Sequence, residues 1–354
     1  MENCMEYAIE DDYVKILGRT IKKNNILYFN YSGSCVEFQF YGKDARAILW
    51  SDGGDEISEA WMAVYLNDDK QPSRRFCLEQ GEKEYLLYQG DIAEKVAIRL
   101  VKMSEAAFAK AGIKAILTDG IDHIEPVKQK NLKMEFIGDS ITCGYGNEGI
   151  FGKDVFCTSQ ENPCDAYAIQ TAQMLNADYQ LISWSGIGII SQWVDETVNE
   201  PLQDVLKPDL YQYTDKYLSR MRGWYPVEKW DTDKFKADII IINMGTNDNS
   251  YTRDIQSRVD YFGKEYFKFI GQVRNCNPQA KIVCTLGTMI QGLCGEIQKQ
   301  VRKFKAHYKD YEIYYMAFDE QNVEDGLGTD EHPSKLTHQK MANKLAEFIQ
   351  TDLL

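Results

Sequence analysis

The 354-residue sequence is poor in positive charge and has no long apolar run. It contains 40 lysines and arginines against 54 acidic residues, which gives a formal net charge of −14. Nucleic acids and anionic membrane surfaces attract basic proteins, so this balance argues against both as partners. Its aliphatic runs, such as Ile239–Ile242, have the length of a strand and fall far below the roughly 20 residues that span a bilayer. We therefore expect neither nucleic-acid nor membrane binding.

Cysteine usage argues against a disulfide framework or a zinc site. The nine cysteines are odd in number and scattered, and no two of them form a Cys-x-x-Cys pair. Free thiols are typical of a reducing compartment. The amino-terminal residues are acidic and are not followed by an apolar segment, so we expect a cytoplasmic protein without a signal peptide. Secretion after removal of a signal from a longer precursor is the alternative.

Residues 1–125 are predicted to form an all-β jelly-roll sandwich domain. Apolar and polar residues alternate in short runs that are separated by turn-forming residues, a pattern typical of such sandwiches. The predicted strands are Val36–Phe40, Ala45–Trp50, Trp61–Leu66, Glu84–Tyr88, Val96–Val101 and Ala115–Leu117. No reactive groups cluster in this region, so we expect it to serve as a scaffold or an ancillary binding module.

After a polar linker at residues 122–131 the pattern changes. Residues 132–354 alternate apolar strand runs with helical stretches, which predicts a three-layer α/β domain with a parallel sheet. The predicted strands are Met134–Ile137, Tyr179–Ser183, Asp238–Met244, Lys281–Leu286 and Glu312–Ala317, and the predicted helices are Asp165–Leu175, Asp254–Asn275, Glu296–Lys309 and Ser334 to the end. An aromatic-rich excursion, 199–230, interrupts this alternation and is of the kind that often shapes a site.

Polar residues follow the ends of the predicted parallel strands, where open α/β sheets carry their chemistry. Ser140 follows the first strand in a glycine-rich loop, a suitable place for a nucleophile, although Gly-Asp-Ser is also a common helix-capping turn. A serine nucleophile needs a base, and the sequence has four histidines. His123 lies in the linker, and we expect His307 and His338 to face solvent on helices. His332 lies in a loop before the last helix and is the candidate base.

Four sequence blocks together resemble the SGNH (GDSL-type) hydrolases. These blocks are Gly138-Asp139-Ser140, Gly186, Gly245-Thr246-Asn247-Asp248 and His332-Pro333, in the family's order. The longer segment Gly138–Gly149, with a β-sandwich before it, is similar to the second family of carbohydrate esterases, which remove O-acetyl groups from plant polysaccharides. The resemblance implies a flavodoxin-like catalytic domain at 132–354. It also implies that Ser140 is the nucleophile and His332 the base, with an oxyanion hole formed by Ser140 N–H, Gly186 N–H and the Asn247 side chain.

The sequence departs from the wider family ahead of the histidine. Thr329 occupies the position of the aspartate that usually orients the base, and Asp330 is offset by one residue. Members of the narrower family are similar in using a backbone carbonyl instead. We therefore predict a Ser140–His332 dyad, with a structural role for Asp330. Glu331 replaces the family's tryptophan before the histidine.

The expected function is a serine acetylesterase acting on acetylated xylan- or mannan-type polysaccharides or oligosaccharides, without metal or cofactor. Tyr145, Trp184 and Trp224 are candidates for stacking on sugar rings. One alternative is a lipase or thioesterase on the same fold, because fold does not fix substrate. Another is a glycan-binding protein that has lost catalysis. The oligomeric state, the polysaccharide and the acetylated hydroxyl are left open.

Overall fold

The computed structural model describes residues 4–55, 57–120 and 123–354. Within residues 4–55, 57–120 and 123–126, ten antiparallel strands form the amino-terminal part. They are β1 (Met5–Ala8), β2 (Lys15–Leu17), β3 (Thr20–Lys23), β4 (Ile26–Phe29), β5 (Cys35–Ser51), β6 (Trp61–Leu66), β7 (Arg74–Cys77), β8 (Gly81–Lys102), β9 (Ala111–Thr118) and β10 (Glu125–Pro126). The main path of the sheet is β3-β4-β9-β5-β8-β6-β7, with β1 paired to β9 and with β2 and β10 paired to β5.

Two long strands, β5 and β8, fold this sheet over on itself. Their ladder shifts register between Gly42 and Asp44 and again between Ala45 and Arg46, as a β-bulge does when it bends a strand. The first half of β5 pairs with β2 and β10, and its second half pairs with β9. Apolar side chains of both halves, such as Phe38 and Leu49, share one buried core. This fold confirms the predicted jelly roll, although the sequence divided each long strand into two.

The carboxy-terminal part contains a five-stranded parallel sheet. Its strands are β11 (Leu132–Gly138), β12 (Ala177–Ser183), β13 (Ile239–Asn243), β14 (Lys281–Leu286) and β15 (Ile313–Ala317). Their spatial order is β12-β11-β13-β14-β15, the flavodoxin-like order that the resemblance implied. The helices are α1 (Ser140–Cys143), α2 (Tyr167–Met174), α3 (Lys207–Tyr211), α4 (Lys216–Met221), α5 (Thr246–Thr252), α6 (Gln256–Cys276), α7 (Cys294–Tyr308) and α8 (Lys335–Asp352).

Helical periodicity explains how the long helices cover this sheet. In α6 the buried residues Phe262, Tyr266, Phe269 and Val273 recur every three or four positions and form one apolar stripe. The strand order reverses after β12, so right-handed crossovers place α2 on one face of the sheet and α6 and α7 on the other. Helix α8 packs beside α2, which completes the three layers. No described helix combines the length and apolarity needed to cross a membrane.

The two sheets are joined by a continuous apolar core and by buried ion pairs. Leu17, Tyr65 and other side chains of the jelly roll belong to the same buried cluster as the parallel strands. The Lys15 ammonium lies 2.6 Å from the carboxylate of Asp178 on β12, and both side chains are almost fully buried. Residues 125–130 of the predicted linker belong to this junction, because β10 pairs with β5 and the Lys130 N–H donates to Asp178.

The aromatic excursion at 199–230 packs onto the jelly roll. Leu218 of α4 is buried against Ile26 and Tyr28. The guanidinium of Arg19 lies 5.0 Å from the ring centre of Tyr211 and 5.1 Å from that of Trp230. The excursion therefore connects the two domains beside the parallel sheet.

Candidate active site

Ser140 is the first residue of α1, directly after the carboxyl end of β11. Strand β11 lies between β12 and β13, at the point where the strand order reverses and where open α/β sheets bind ligands. The Asp139 carboxylate caps α1 by accepting the Ile141 N–H at 3.1 Å. Gly138 is required for this tight turn, because a Cβ there would lie 1.9 Å from the Thr142 hydroxyl oxygen. Gly138-Asp139-Ser140 therefore forms a helix-capping turn and also places Ser140 at the end of the strand, where a nucleophile was predicted.

His332 reaches Ser140 from the other end of the domain. Its Nε2 lies 2.8 Å from Ser140 Oγ, although 192 residues separate the two in sequence. The histidine loop is held to the serine loop by the backbone, since the Thr329 N–H donates to the Gly146 carbonyl at 2.9 Å. Gly146 has a φ of +65°, and a Cβ there would lie 2.9 Å from the Thr329 carbonyl oxygen. The close approach of the two loops therefore depends on a glycine.

The other ring nitrogen of His332 faces backbone carbonyls. Nδ1 lies 3.1 Å from the Asp330 carbonyl oxygen and 3.2 Å from that of Thr329. Asp330 and Glu331 have φ values of 54° and 61°, and this left-handed turn bends the chain around the imidazole. The Asp330 carboxylate instead accepts the Tyr145 hydroxyl at 2.9 Å. A proton on Nδ1 that is bonded to these carbonyls leaves the lone pair of Nε2 directed at Ser140.

Burial lowers the pKa of His332 to about 4, and the two carbonyls and the Asp330 charge oppose this shift only in part. The sign follows from desolvation, which disfavours the charged imidazolium. The ring is therefore neutral around pH 7, the form in which it can accept a proton.

Unused hydrogen-bond donors lie beside this pair. Within residues 4–55, 57–120 and 123–354, neither the Ser140 N–H nor the Gly186 N–H has a protein acceptor. Gly186 has a φ of +76°, and the space where a side chain would begin is open for 4 Å. The Asn247 amide nitrogen donates to the Ile187 carbonyl at 3.0 Å and to the Asp139 carboxylate at 3.3 Å. Asn247 therefore links the loops that carry Ser140 and Gly186.

Asp248 organises the loop after β12, and its role was missed in the sequence. Its carboxylate accepts the N–H groups of Ile189, Ile190 and Ser191 at 2.7–3.2 Å. Burial raises its pKa to about 6, although these donors favour the charged form. Gly188 permits the contact, because a Cβ there would lie 2.5 Å from the Asp248 carboxylate. The available signal was an acidic residue next to Asn247, five positions after the end of β13.

The three predicted stacking residues occupy different environments. The Tyr145 ring centre lies 4.5 Å from that of His332 and 3.7 Å from that of Phe156, with which it is stacked. Trp184 is 8% exposed and packs edge-on against Tyr217, with ring centres 5.1 Å apart. Trp224 packs edge-on against Tyr28 of the jelly roll, with centres 5.2 Å apart, and contacts none of the four motif blocks among the described residues. Of these three rings, Tyr145 is the one that has a ring contact with His332 among the described residues.

The prediction that the His338 side chain faces solvent is wrong. Its side chain is fully buried on the inner stripe of α8, and Nδ1 accepts the Tyr167 N–H at 3.2 Å. Burial lowers its pKa to about 3. His307 is exposed on α7, as expected. His338 therefore serves the packing of α8 against α2.

Glu105, Cys143 and Glu161 form a buried cluster with potential metal-ligand atoms within 4.8 Å of one another. Both carboxylate oxygens of Glu105 already accept hydrogen bonds from Ser185. Burial raises the pKa of Glu105, and the buried ammonium groups of Lys102 and Lys207 oppose that rise. Protein cations thus already lie beside the carboxylate that a metal ion would bind, so Glu105 fits an acceptor for Ser185 better than a metal ligand.

Comparisons with known families agree with both halves of this structure. Residues 134–345 match the GDSL-like Lipase/Acylhydrolase family, and residues 16–126 match the Carbohydrate esterase 2 N-terminal family. The chain is 32% identical over 327 residues to the cellulase/esterase CelE of Acetivibrio thermocellus, covering 91% of this chain and 37% of that protein. It therefore spans little more than a third of that relative.

Two further relatives are matched over almost their whole length. An acetylxylan esterase / glucomannan deacetylase of Cellvibrio japonicus is 25% identical over 354 residues, which cover 98% of this chain and 90% of that protein. The structure of a family two carbohydrate esterase from Clostridium thermocellum in complex with cellohexaose is 30% identical. It covers 96% of this chain and 99% of the other, with a TM-score of 0.82. The chain thus belongs to the GDSL-like lipase/acylhydrolase family, in the branch that carries the N-terminal domain of carbohydrate esterase family 2.

Proposed function

We propose that this chain is a serine acetylesterase that removes O-acetyl groups from acetylated xylan- or mannan-type polysaccharides or oligosaccharides. The observation that carries the proposal is the 2.8 Å contact between Ser140 Oγ and the neutral imidazole of His332. A serine hydroxyl beside a base and beside unused N–H donors is the arrangement that acyl transfer requires. The relatives named acetylxylan esterase / glucomannan deacetylase support acetylated plant polysaccharide as the substrate.

The proposed reaction has two halves. Ser140 Oγ attacks the acetyl carbonyl while His332 Nε2 takes the hydroxyl proton, and the tetrahedral intermediate then collapses as the sugar oxygen leaves with that proton. Water attacks the acetyl-serine with His332 again as the base, releasing acetate and restoring the serine. Both steps place a negative charge on the former carbonyl oxygen. The proposed donors are the N–H groups of Ser140 and Gly186 and the Asn247 amide, which would exchange its 3.3 Å bond to Asp139 for the oxyanion.

Backbone carbonyls replace the third member of a triad in this proposal. Nδ1–H of His332 lies within hydrogen-bond distance of two carbonyl oxygens, those of Thr329 and Asp330. Carbonyl dipoles fix the tautomer and favour the imidazolium that forms during attack, as a carboxylate does in other serine hydrolases. The Asp330 side chain bonds Tyr145 and supports the turn instead.

The surroundings of Ser140 support a neutral polysaccharide as substrate. The Tyr145–Phe156 pair borders His332, and the adjoining residues Ile150, Phe151 and Val155 are 50%, 47% and 87% exposed. Aromatic and apolar side chains at a protein surface bind the faces of sugar rings. The net charge of −14 disfavours acidic glycans. The relative solved with cellohexaose binds a neutral β-linked glucan.

A substrate series tests this proposal. We expect p-nitrophenyl acetate to be hydrolysed much faster than the butyrate and octanoate esters, and we expect acetate release from acetylated xylan and mannan oligosaccharides. Faster hydrolysis of the octanoate ester or of an acyl thioester, without acetate release from either glycan, would identify a lipase- or thioesterase-type hydrolase instead. Glycan binding without hydrolysis of any ester would identify a binding protein.

A further inference from the structure

A buried carboxylate of the jelly-roll domain contacts the loop that carries Gly186. Glu105 lies between β8 and β9 and is fully buried. One carboxylate oxygen accepts the backbone N–H of Ser185 at 2.7 Å, and the other accepts the Ser185 hydroxyl. These contacts join positions 80 residues apart in two different domains. Ser185 is therefore held at its backbone and at its side chain by one group.

The residue after Ser185, Gly186, is also fixed by a backbone hydrogen bond. The Gly186 carbonyl accepts the Trp193 N–H at 2.8 Å. The Gly186 N–H itself has no acceptor among the described residues, and the space beside its Cα is open. The direction of this N–H is set by the backbone angles of Ser185 and Gly186. Glu105 and Trp193 anchor the residues on both sides of it.

The surroundings of Glu105 hold its backbone and its side chain in place. Its own N–H donates to the Glu161 carboxylate at 3.0 Å. Burial and the nearby charge of Glu105 raise the pKa of Glu161 well above its usual range. The ammonium of Lys207 donates to the carbonyl of Ile182, three residues before Ser185, at 2.8 Å. Burial raises the pKa of Glu105, and the nearby charge of Lys207 opposes that rise. These contacts fix both Glu105 and the end of β12 that leads into Ser185.

We propose that Glu105 is a positioning residue of the catalytic centre, through which the jelly-roll domain fixes the Ser185–Gly186 peptide so that the Gly186 N–H meets the developing oxyanion. This inference rests on the proposed serine esterase mechanism. It gives the amino-terminal domain a part in catalysis, whereas the sequence indicated a scaffold or an ancillary module.

The test is Glu105→Gln, which keeps the size of the side chain but leaves one acceptor oxygen for two donors. With p-nitrophenyl acetate we expect kcat to fall about 10- to 100-fold, within the limit of about 10²–10³ for loss of a whole oxyanion donor. KM should stay unchanged, because the oxyanion exists only in the transition state. The inhibition constant of an alkylboronic acid, which forms a tetrahedral adduct on the serine, should rise by a similar factor.

Asp178→Asn is the matched control, because it also changes a buried carboxylate between the two domains but does not touch the loop that carries Gly186. Asp178 is another buried carboxylate at the domain junction, where it accepts from Lys15 and from the Lys130 N–H. It lies near the amino end of β12, away from the loop after that strand. We expect this variant to lower Tm while kcat and KM keep the parental values.

Two results would overturn the inference. One is a kcat for Glu105→Gln within about threefold of the parent's, and the other is an equal fall of kcat in Asp178→Asn. If Glu105→Gln does not fold, Ser185→Ala decides, because it removes only the hydroxyl contact. Ser185→Ala should lower kcat several-fold at constant KM. A kcat of Ser185→Ala equal to that of the parent would refute the inference. A parent chain inactive on all acetyl esters refutes the proposed function as well, whereas an active parent with an unaffected Glu105→Gln refutes the inference alone.

Discussion

Replacing Asp330 with asparagine separates a dyad from a triad. In serine proteases, changing the carboxylate that bonds the catalytic histidine to an amide lowers kcat by about 10⁴. Here the Asp330 carboxylate bonds the Tyr145 hydroxyl at 2.9 Å, and the histidine faces the Asp330 carbonyl at 3.1 Å. The substitution changes the side chain and keeps that carbonyl.

The expected loss is therefore small. An asparagine oxygen still accepts the Tyr145 hydroxyl, and an exposed contact of this kind contributes little, so we expect kcat to fall by less than about tenfold. The Asp330 charge also raises the pKa of His332. Its removal should shift the acid limb of kcat/KM to lower pH, because the imidazolium loses a nearby negative charge.

The assay is the pH dependence of p-nitrophenyl acetate hydrolysis, with Tm measured on the same samples. Tyr145→Phe is the matched control, since it removes the same hydrogen bond and keeps the Asp330 charge. It should leave the acid limb at the parental pH. A thousandfold or greater fall in kcat for Asp330→Asn at unchanged Tm would contradict the reasoning and would show that the carboxylate acts on His332.

Three further predictions concern the rest of the site. Asn247→Ala should lower kcat by about 10²–10³ at nearly constant KM, because an oxyanion donor acts in the transition state, and a raised KM at constant kcat would make Asn247 a substrate-binding residue. In the parent, the acid limb of kcat/KM should lie near pH 4, because burial lowers the pKa of His332 to about 4. An acid limb near the ordinary pKa of histidine, about 6.5, would show that His332 is not desolvated in this way. Gly188→Ala should lower both Tm and kcat, because its Cβ would meet the Ser191 carbonyl at 2.3 Å and displace the loop that Asp248 holds, whereas parental values would show that the loop adapts.

The sequence predicted those parts of the site that depend on strand ends. Ser140 and Asn247 each follow a buried parallel strand, and β11 and β13 are neighbours in the sheet. Carboxyl ends of neighbouring parallel strands meet at one edge, so a linear pattern was enough to bring these two residues together. His332 was identified because a polar loop precedes the last helix.

Other features depend on contacts that a linear pattern does not contain. The sequence predicted separate strands at Val36–Phe40 and Ala45–Trp50, whereas β5 continues through a bulge because β8 pairs with it on both sides. The left-handed backbone at Asp330, which directs a carbonyl to His332, has no glycine to signal it. Glu105 meets Ser185 only after two domains have packed together, so neither stretch of sequence indicated the contact.

The central claim is that the Ser140 hydroxyl attacks an acetyl ester of a polysaccharide. Its most direct test is the rate of acetate release from acetylated xylan and mannan oligosaccharides, followed by proton NMR, for equal amounts of the parent chain and Ser140→Ala with matching Tm values. The account predicts steady release by the parent, and for the variant at most the residual acceleration of about 10³–10⁴ over water that binding and oxyanion donors alone provide. Release by Ser140→Ala at the parental rate would contradict it.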